Sequence, residues 1–316
     1  MVFDTRTSDM MKASLAQYFD IPCEKLVEFI LKAADFAQKK SRLAFDTTVF
    51  EDTLDAFLEN FEVKEEIEAV MCFHFSRRLN NTGKDENTYN LRDLLLADNQ
   101  MSYFLRENGY KFFEEDGHLA FRYNGKEYYP ENSSNPDALL LANRLGRNSV
   151  EADYCFNGLA FGDSLMRNLY ALRLFDGPEF LLSLSAFTHN NSLLKKYKNN
   201  STFYCYRFCI PVEMIIIDGY ETFEKDNLIW FLIHQMAYRI MLYEDGATPI
   251  SDDGNPIIRI ADDAILPIEY LQERHEITLD MFTSAYMYSP QHMEKAKINV
   301  EIIPGVAKGN TIRYIH

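Results

Sequence analysis

The stretch "AVMCFHFSRRL" (69–79) brings His74, Ser76, Arg77 and Arg78 within five positions of one another. The run is short and apolar, reads as a β-strand, and is followed after a polar loop by the helical spacing of "YNLRDLLLAD" (89–98). An imidazole, a hydroxyl and a guanidinium at a strand end are groups that hydrogen-bond hydroxyls, amides and phosphates. The plainer alternative is a satisfied core histidine, with Arg77 and Arg78 solvated or paired to Asp85 and Glu86 of the loop.

Other polar residues offer less. Cys205 and Cys209 share a strand face, but four residues at about 3.3 Å each put them roughly 13 Å apart, too far to share a metal ion. His234 and Tyr238 stand four apart on a helix without a Glu or Cys at zincin spacing, which favours core packing. "GLAFGDS" (158–164) lacks the Lys-Ser/Thr of a phosphate loop and reads as a tight strand-to-helix turn with Asp163 or Ser164 as N-cap. No metal site is expected.

The elements that must position these residues follow from periodicity. Residues 8 to about 68 carry helical spacing, with Leu26, Phe29, Ile30 and Ala33 on one face and Asp46 or Thr48 as cap of a later helix. Asp116-Gly117 and Asn124-Gly125 supply the positive φ angles of tight turns, so 110–129 is expected to be a three-stranded meander. Helices are expected near 136–145, after Pro178 and over 224–243, with a strand over "STFYCYRFCIPVEMIII" (201–217). "NPIIRIADDAILPIEYLQE" (255–273) reads as a strand, a turn and a second short strand, and "KINVEIIPG" (297–305) as one more. The fold class is α+β, with a helical N-terminal region over 1–68 and an α+β domain over 69–316.

The run "FHFSRRLNN…YNLRDLL" resembles the first nucleotide-binding motif of the ADP-ribosyltransferase superfamily, in the bacterial and phage members with a histidine there. The resemblance implies a mixed or antiparallel β core with NAD as substrate. It assigns NAD binding to His74 and Ser76, with Arg77 and Phe75 beside them. The aromatic on which nicotinamide stacks would be Tyr170 in "MRNLYALRL", ahead of Phe161 in "FNGLAFGDS". The family's late-strand glutamate, which stabilises the oxocarbenium ion by charge, has no direct counterpart, because Pro256 and Ile257 stand in its place. Glu213 in "IPVEM" and Glu269 in "LPIEY" are the nearest substitutes and the expected catalytic residues. The family implies a protein or nucleic-acid target and a role as toxin or in phage–host conflict.

Composition bounds these readings. A chain of 316 residues, 47% hydrophobic, can bury a large core. Its net charge of −16 argues against a general role on nucleic-acid backbones or anionic membranes. Five cysteines without a spaced framework suggest reduced thiols and a cytoplasmic home, and no apolar leader or long apolar span is evident. The same charge suits a rival function from another class: a catalytically silent module whose acidic surface engages a protein partner.

Overall fold

The computed structural model describes residues 1–40, 45–80, 88–148, 153–246, 251–287, 299–304 and 310–315. In chain order the elements begin with β1 (Val2–Phe3), α1 (Ser8–Tyr18), α2 (Cys23–Lys40), α3 (Thr47–Leu58), β2 (Ala69–Leu79), α4 (Leu91–Leu96) and α5 (Gln100–Glu107). There follow β3 (Tyr110–Glu115), β4 (His118–Tyr123), β5 (Lys126–Tyr128), α6 (Pro136–Arg144), β6 (Asn157–Leu159), α7 (Leu169–Leu174), α8 (Glu179–Phe187) and α9 (Asn191–Asn199). The chain continues through β7 (Ser201–Pro211), β8 (Ile216–Ile217), α10 (Lys225–Glu244), β9 (Ile257–Arg259), β10 (Leu271–Glu276), α11 (Leu279–Met287), β11 (Asn299–Pro304) and β12 (Asn310–Ile315). The protein is α+β.

The strands form a seven-stranded sheet of order β10-β7-β2-β6-β9-β8, in which β1 also pairs β2, together with the sheet β3-β4-β5 and the hairpin β11-β12. The large sheet is mixed, because β1 runs parallel to β2 while β6 meets β2 antiparallel. The chain divides into two compact units. The first comprises Met1–Phe73, Leu159–Leu165 and Arg207–Ile258; the second comprises His74–Gly158, Met166–Tyr206 and Arg259–His316.

In the first unit the helical spacing has its expected consequence: Leu26, Ile30 and Ala33 of α2 are buried, as are Phe50 and Leu54 of α3 and Leu232, Ile233, Met236 and Ile240 of α10. Asp46 caps α3, its Oδ1 accepting from the Val49 amide at 3.1 Å. Asp163 and Ser164 precede a 3-10 turn, Leu165–Arg167, and their side chains reach across to α10. Asp163 accepts from the buried Arg239 at 2.7 Å, and the Ser164 hydroxyl lies 2.8 Å from that of Tyr243. Arg239 also reaches Asp252 at 2.8 Å, and Asp252 accepts from Asn255 at 2.7 Å, so a polar network replaces the simple turn. His234 and Asp55 are joined at 2.6 Å.

In the second unit the two turns of the meander adopt the left-handed conformation their sequences suggest, with φ of 53° at Asp116, 79° at Gly117, 50° at Asn124 and 81° at Gly125. Leu79, Leu95, Leu105, Tyr110, Phe121, Leu141, Phe180, Leu184 and Tyr197 share one core. Helix α7 is capped by Asn168, which accepts from Ala171 at 2.9 Å, and Pro178 immediately precedes α8. The second short strand expected before Pro267 is a single bridge, Thr88↔Leu266. Strands β10 and β12 lie beyond the sequence expectation. The polar loop expected after β2 falls mostly on 81–87, outside the described residues.

Candidate functional site

The site is built on β2 (Ala69–Leu79), where pairing with one neighbour ends early. The Glu68 carbonyl accepts from Val212 at 2.9 Å and the Asn80 amide donates to Asn200 at 2.8 Å. Even-numbered backbone groups of β2 therefore point toward β7, and odd-numbered ones toward the other edge. On that other edge β1 covers Ala69 and Val70, and β6 contributes one pair, Phe73↔Leu159. Past Phe73 the edge bearing Phe75, Arg77 and Leu79 has no strand partner on that side among the described residues.

A cavity of about 190 Å³ lies within the second unit along this part of β2. Its wall includes every residue from His74 to Leu79, with Asn157 from β6, Tyr170 from α7, Glu179 from α8 and Tyr197 from α9. Four sequence-nominated binding residues, His74, Ser76, Arg77 and Tyr170, thus share one cavity. Glu213 and Glu269 do not line it; each is exposed on a 3-10 turn, Val212–Met214 and Ile268–Tyr270 respectively. Phe161 is fully buried in the first unit, where the Arg239 guanidinium covers its ring at 4.5 Å.

Alternation along a strand places His74, Ser76 and Arg78 on one face and Phe75, Arg77 and Leu79 on the other, matching their half-buried and buried states. His74 Nδ1 stands 2.6 Å from the Asn157 carbonyl. A carbonyl only accepts, so Nδ1 carries the proton and Nε2 remains an acceptor. Burial first, and the nearby Arg78 charge second, lower the imidazole pKa from 6.5 to about 4, against the pull of the Asn157 bond. The ring is therefore neutral at neutral pH, packed 4.6 Å from Phe156. Ser76 Oγ has a long contact of 3.4 Å to the Arg77 carbonyl.

The two arginines differ. Arg77 is buried and donates from Nε to the Phe175 carbonyl at 2.7 Å and from Nη1 to the Ser201 carbonyl at 2.9 Å, with the Phe175 ring 4.9 Å away. These bonds occupy its guanidinium within the fold. Arg78 is half-buried, and its contact among the described residues is the Tyr206 ring at 5.5 Å. A third guanidinium on the wall, Arg144, is held by Asp153 at 2.8 Å and Glu179 at 2.5 Å. Burial alone would depress its pKa, but the two carboxylates reverse that and raise it.

The Tyr170 phenol is pushed up to about 12, chiefly by burial and then by the Glu179 charge, so it is a proton donor and not a phenolate. Burial, then Asp153 and Asp262, likewise raise the Cys155 thiol on the cavity wall, which keeps it from acting as a thiolate. Among the described residues no group of three or more His, Cys, Asp or Glu is arranged to hold a metal ion, and no helix is long and apolar enough to cross a membrane.

Arg144, Asp153, Asn157 and Glu179 belong to the wall but were not singled out in the sequence. They come from separate segments, and only the fold brings them together. Arg77 and Arg78 could have been separated in advance by strand alternation, which puts only Arg78 beside His74 and Ser76. No protein family, curated protein or solved structure matches this chain.

Proposed function

We propose that this protein is an ADP-ribosyltransferase-like enzyme that takes the nicotinamide end of NAD into the cavity beside β2 and transfers ADP-ribose to a macromolecule. One observation carries the reading: His74, Ser76 and Tyr170 share a wall with a strand edge that β6 has left unpaired. That edge offers main-chain donors and acceptors to a carboxamide. His74 Nε2 accepts from a ribose hydroxyl, Ser76 supplies a second hydrogen bond, and Tyr170 lies available as the stacking ring. At about 190 Å³ the cavity is smaller than the usual range of about 300–1,000 Å³, so the adenosine end lies outside it.

In the transfer step the bond between C1′ of the ribose and the nicotinamide nitrogen breaks, and its electron pair leaves with nicotinamide. The cationic C1′ is then attacked by a nucleophile of the target, whose proton passes to solvent. The carboxylates on this wall are Asp153 and Glu179, both tied to Arg144. On this reading Glu179, rather than Glu213 or Glu269, stabilises the developing charge. Loss of such a group costs about 10²–10³ in rate. The target is a protein or nucleic acid in the cytoplasm, as for a toxin or a phage–host conflict factor.

Incubation with NAD, following free nicotinamide by chromatography and thermal stabilisation in parallel, tests this reading. Release that disappears in His74→Ala supports it; neither release nor stabilisation would move the choice to the rival. The rival, a silent module that engages a basic protein partner, is favoured by the small cavity and the net charge of −16.

A further inference from the structure

A second opening in the second unit, a groove of about 500 Å³, begins at Leu79, the last residue of β2. Leu79 is the one lining residue it shares with the cavity beside β2. One wall is α5, where Gln100, Tyr103, Phe104 and Glu107 recur at three and four residues and so share a helix face. The rest of the wall includes Asn80, with Lys196 and Asn200 from the C-terminal end of α9. Phe104 is anchored on the Tyr197 ring at 5.6 Å. Tyr103 is 47% exposed, with the Arg106 guanidinium over its ring at 4.5 Å.

The fold orients the amides of this groove. Asn200 Nδ2 donates to the Lys196 carbonyl at 2.8 Å, and Asn108 Nδ2 to the Phe104 carbonyl at 2.8 Å. A carbonyl only accepts, so each amide is fixed with its oxygen turned away from that bond. Asn108 Oδ1 takes the Lys196 ammonium at 2.9 Å, and Asn80 Oδ1 takes the Thr202 hydroxyl at 2.8 Å. Asn200 Oδ1, Asn80 Nδ2, the Glu107 carboxylate and the Tyr103 hydroxyl have no partner among the described residues. Capping of α5 and α9 explains the bonds that Asn108 and Asn200 make to the preceding turn. It does not explain the acceptors left over, nor their place beside an exposed ring.

We infer that this groove is a binding site for a neutral polyhydroxylated ring, a hexose sugar, and that it works independently of the NAD reading. The mixture of groups selects the ligand. Asn80 Nδ2 and the spare hydrogens of the Lys196 ammonium donate, whereas Asn200 Oδ1 and Glu107 accept. A phosphate would use only the donors and be repelled by Glu107; a metal ion would use only the acceptors and be repelled by Lys196. A hydroxyl donates and accepts at once, and a ring of hydroxyls uses the whole set. Tyr103 offers an aromatic face to the C–H side of such a ring. An amino-acid zwitterion would engage Glu107 and Lys196 alone, and both are exposed, where solvent and salt weaken the pairing. The groove volume falls within the usual range of about 300–1,000 Å³ for small-molecule sites.

The test is titration of the full chain, followed by ligand-observed NMR, with D-glucose, D-galactose and D-mannose, the methyl glycoside of each, and L-serine as the zwitterion control. Wild type, Glu107→Ala and Tyr103→Ala are compared. At least one hexose is expected to bind wild type saturably, with an affinity that does not change between low and high salt, because a neutral ligand has no charge to screen. Glu107→Ala should weaken it about tenfold, the size of one lost charge-assisted hydrogen bond, and Tyr103→Ala severalfold through loss of the ring face. Both side chains are exposed, so melting temperatures equal to wild type are expected and would show that the variants are folded.

Binding of a methyl glycoside as well as its parent sugar would uphold the site and mark the ring as one recognised within a glycan; binding of the free sugar alone would uphold it for a free saccharide. Absence of saturable binding by all three sugars, wild-type affinity in both variants, or binding of serine in place of the sugars would overturn the inference. Tyr103 and Glu107 do not line the cavity beside β2, so none of these results bears on the NAD reading.

Discussion

His74 gives a pH dependence whose size can be worked out. In the unfolded chain its imidazole titrates near 6.5, and in the fold burial and Arg78 hold it near 4. A lowered histidine pKa means that the folded protein resists protonation where the unfolded chain accepts it. The stability due to neutral His74 is therefore fully present above about pH 6.5, declines as pH falls through the interval between the two values, and is gone near pH 4. At 1.36 kcal/mol per pH unit the interval corresponds to about 3 kcal/mol, of which about 2 kcal/mol falls between pH 7 and pH 5. Because the His74 side chain is only half-buried, solvent screening reduces this figure. Urea unfolding of wild type and His74→Gln at pH 7, 6 and 5 isolates the effect, because the other titrations are common to both proteins. The stability difference between them should shift by about 1–2 kcal/mol in favour of the variant as pH falls from 7 to 5. A difference that stays constant, or shifts toward wild type, would show that His74 is not held neutral and would remove the basis for Nε2 as an acceptor.

Arg77→Lys should destabilise the fold by about 2–3 kcal/mol in urea unfolding, because an ammonium cannot reproduce the fork that satisfies the Phe175 and Ser201 carbonyls. Arg239→Met leaves Asp163 and Asp252 buried without their counter-charge, at a cost of about 3–5 kcal/mol at pH 7. Burial already raises the Asp252 pKa with Arg239 present, so removing the guanidinium raises it further, and the deficit in urea midpoint should shrink as acid neutralises the carboxylate. Gly162→Ala should lower the melting temperature by the equivalent of about 1–3 kcal/mol, since a Cβ there would stand 2.5 Å from Phe73 Cζ and 3.0 Å from the Arg6 Cα. A melting temperature equal to wild type would show that the backbone yields at little cost.

What could be read in the chain was local. Asp116-Gly117 and Asn124-Gly125 specify their turns through conformations few other residue pairs accept, and the meander followed. The buried stripe of α2 is written at helical spacing, and Asp46 caps α3 within its own turn. Strand β10 is not legible in the sequence, because "LQERHE" is largely exposed and carries no apolar alternation to mark it. Asp163 stands where a cap is expected, and its actual partner, Arg239, is 76 residues away. The same distance problem decided the arginines: the carbonyls that occupy Arg77 come from 98 and 124 residues along the chain.

The cavity follows from a mismatch in strand length. Strand β2 runs eleven residues and β6 only three, with a single register pair between them. The Asn157 carbonyl at the start of β6 is taken by a side chain, His74, instead of continuing the ladder. That one bond sets the tautomer of the imidazole and couples it to the segment that carries Asp153 and Cys155 into the wall. Had β6 continued along β2, the Phe75 edge would have been paired and the space along it filled. On the proposed reading, ligand recognition and incomplete pairing are linked: the edge that would meet a carboxamide is left by the end of the ladder, and the residues beside that opening are those whose charge and protonation the surrounding fold controls.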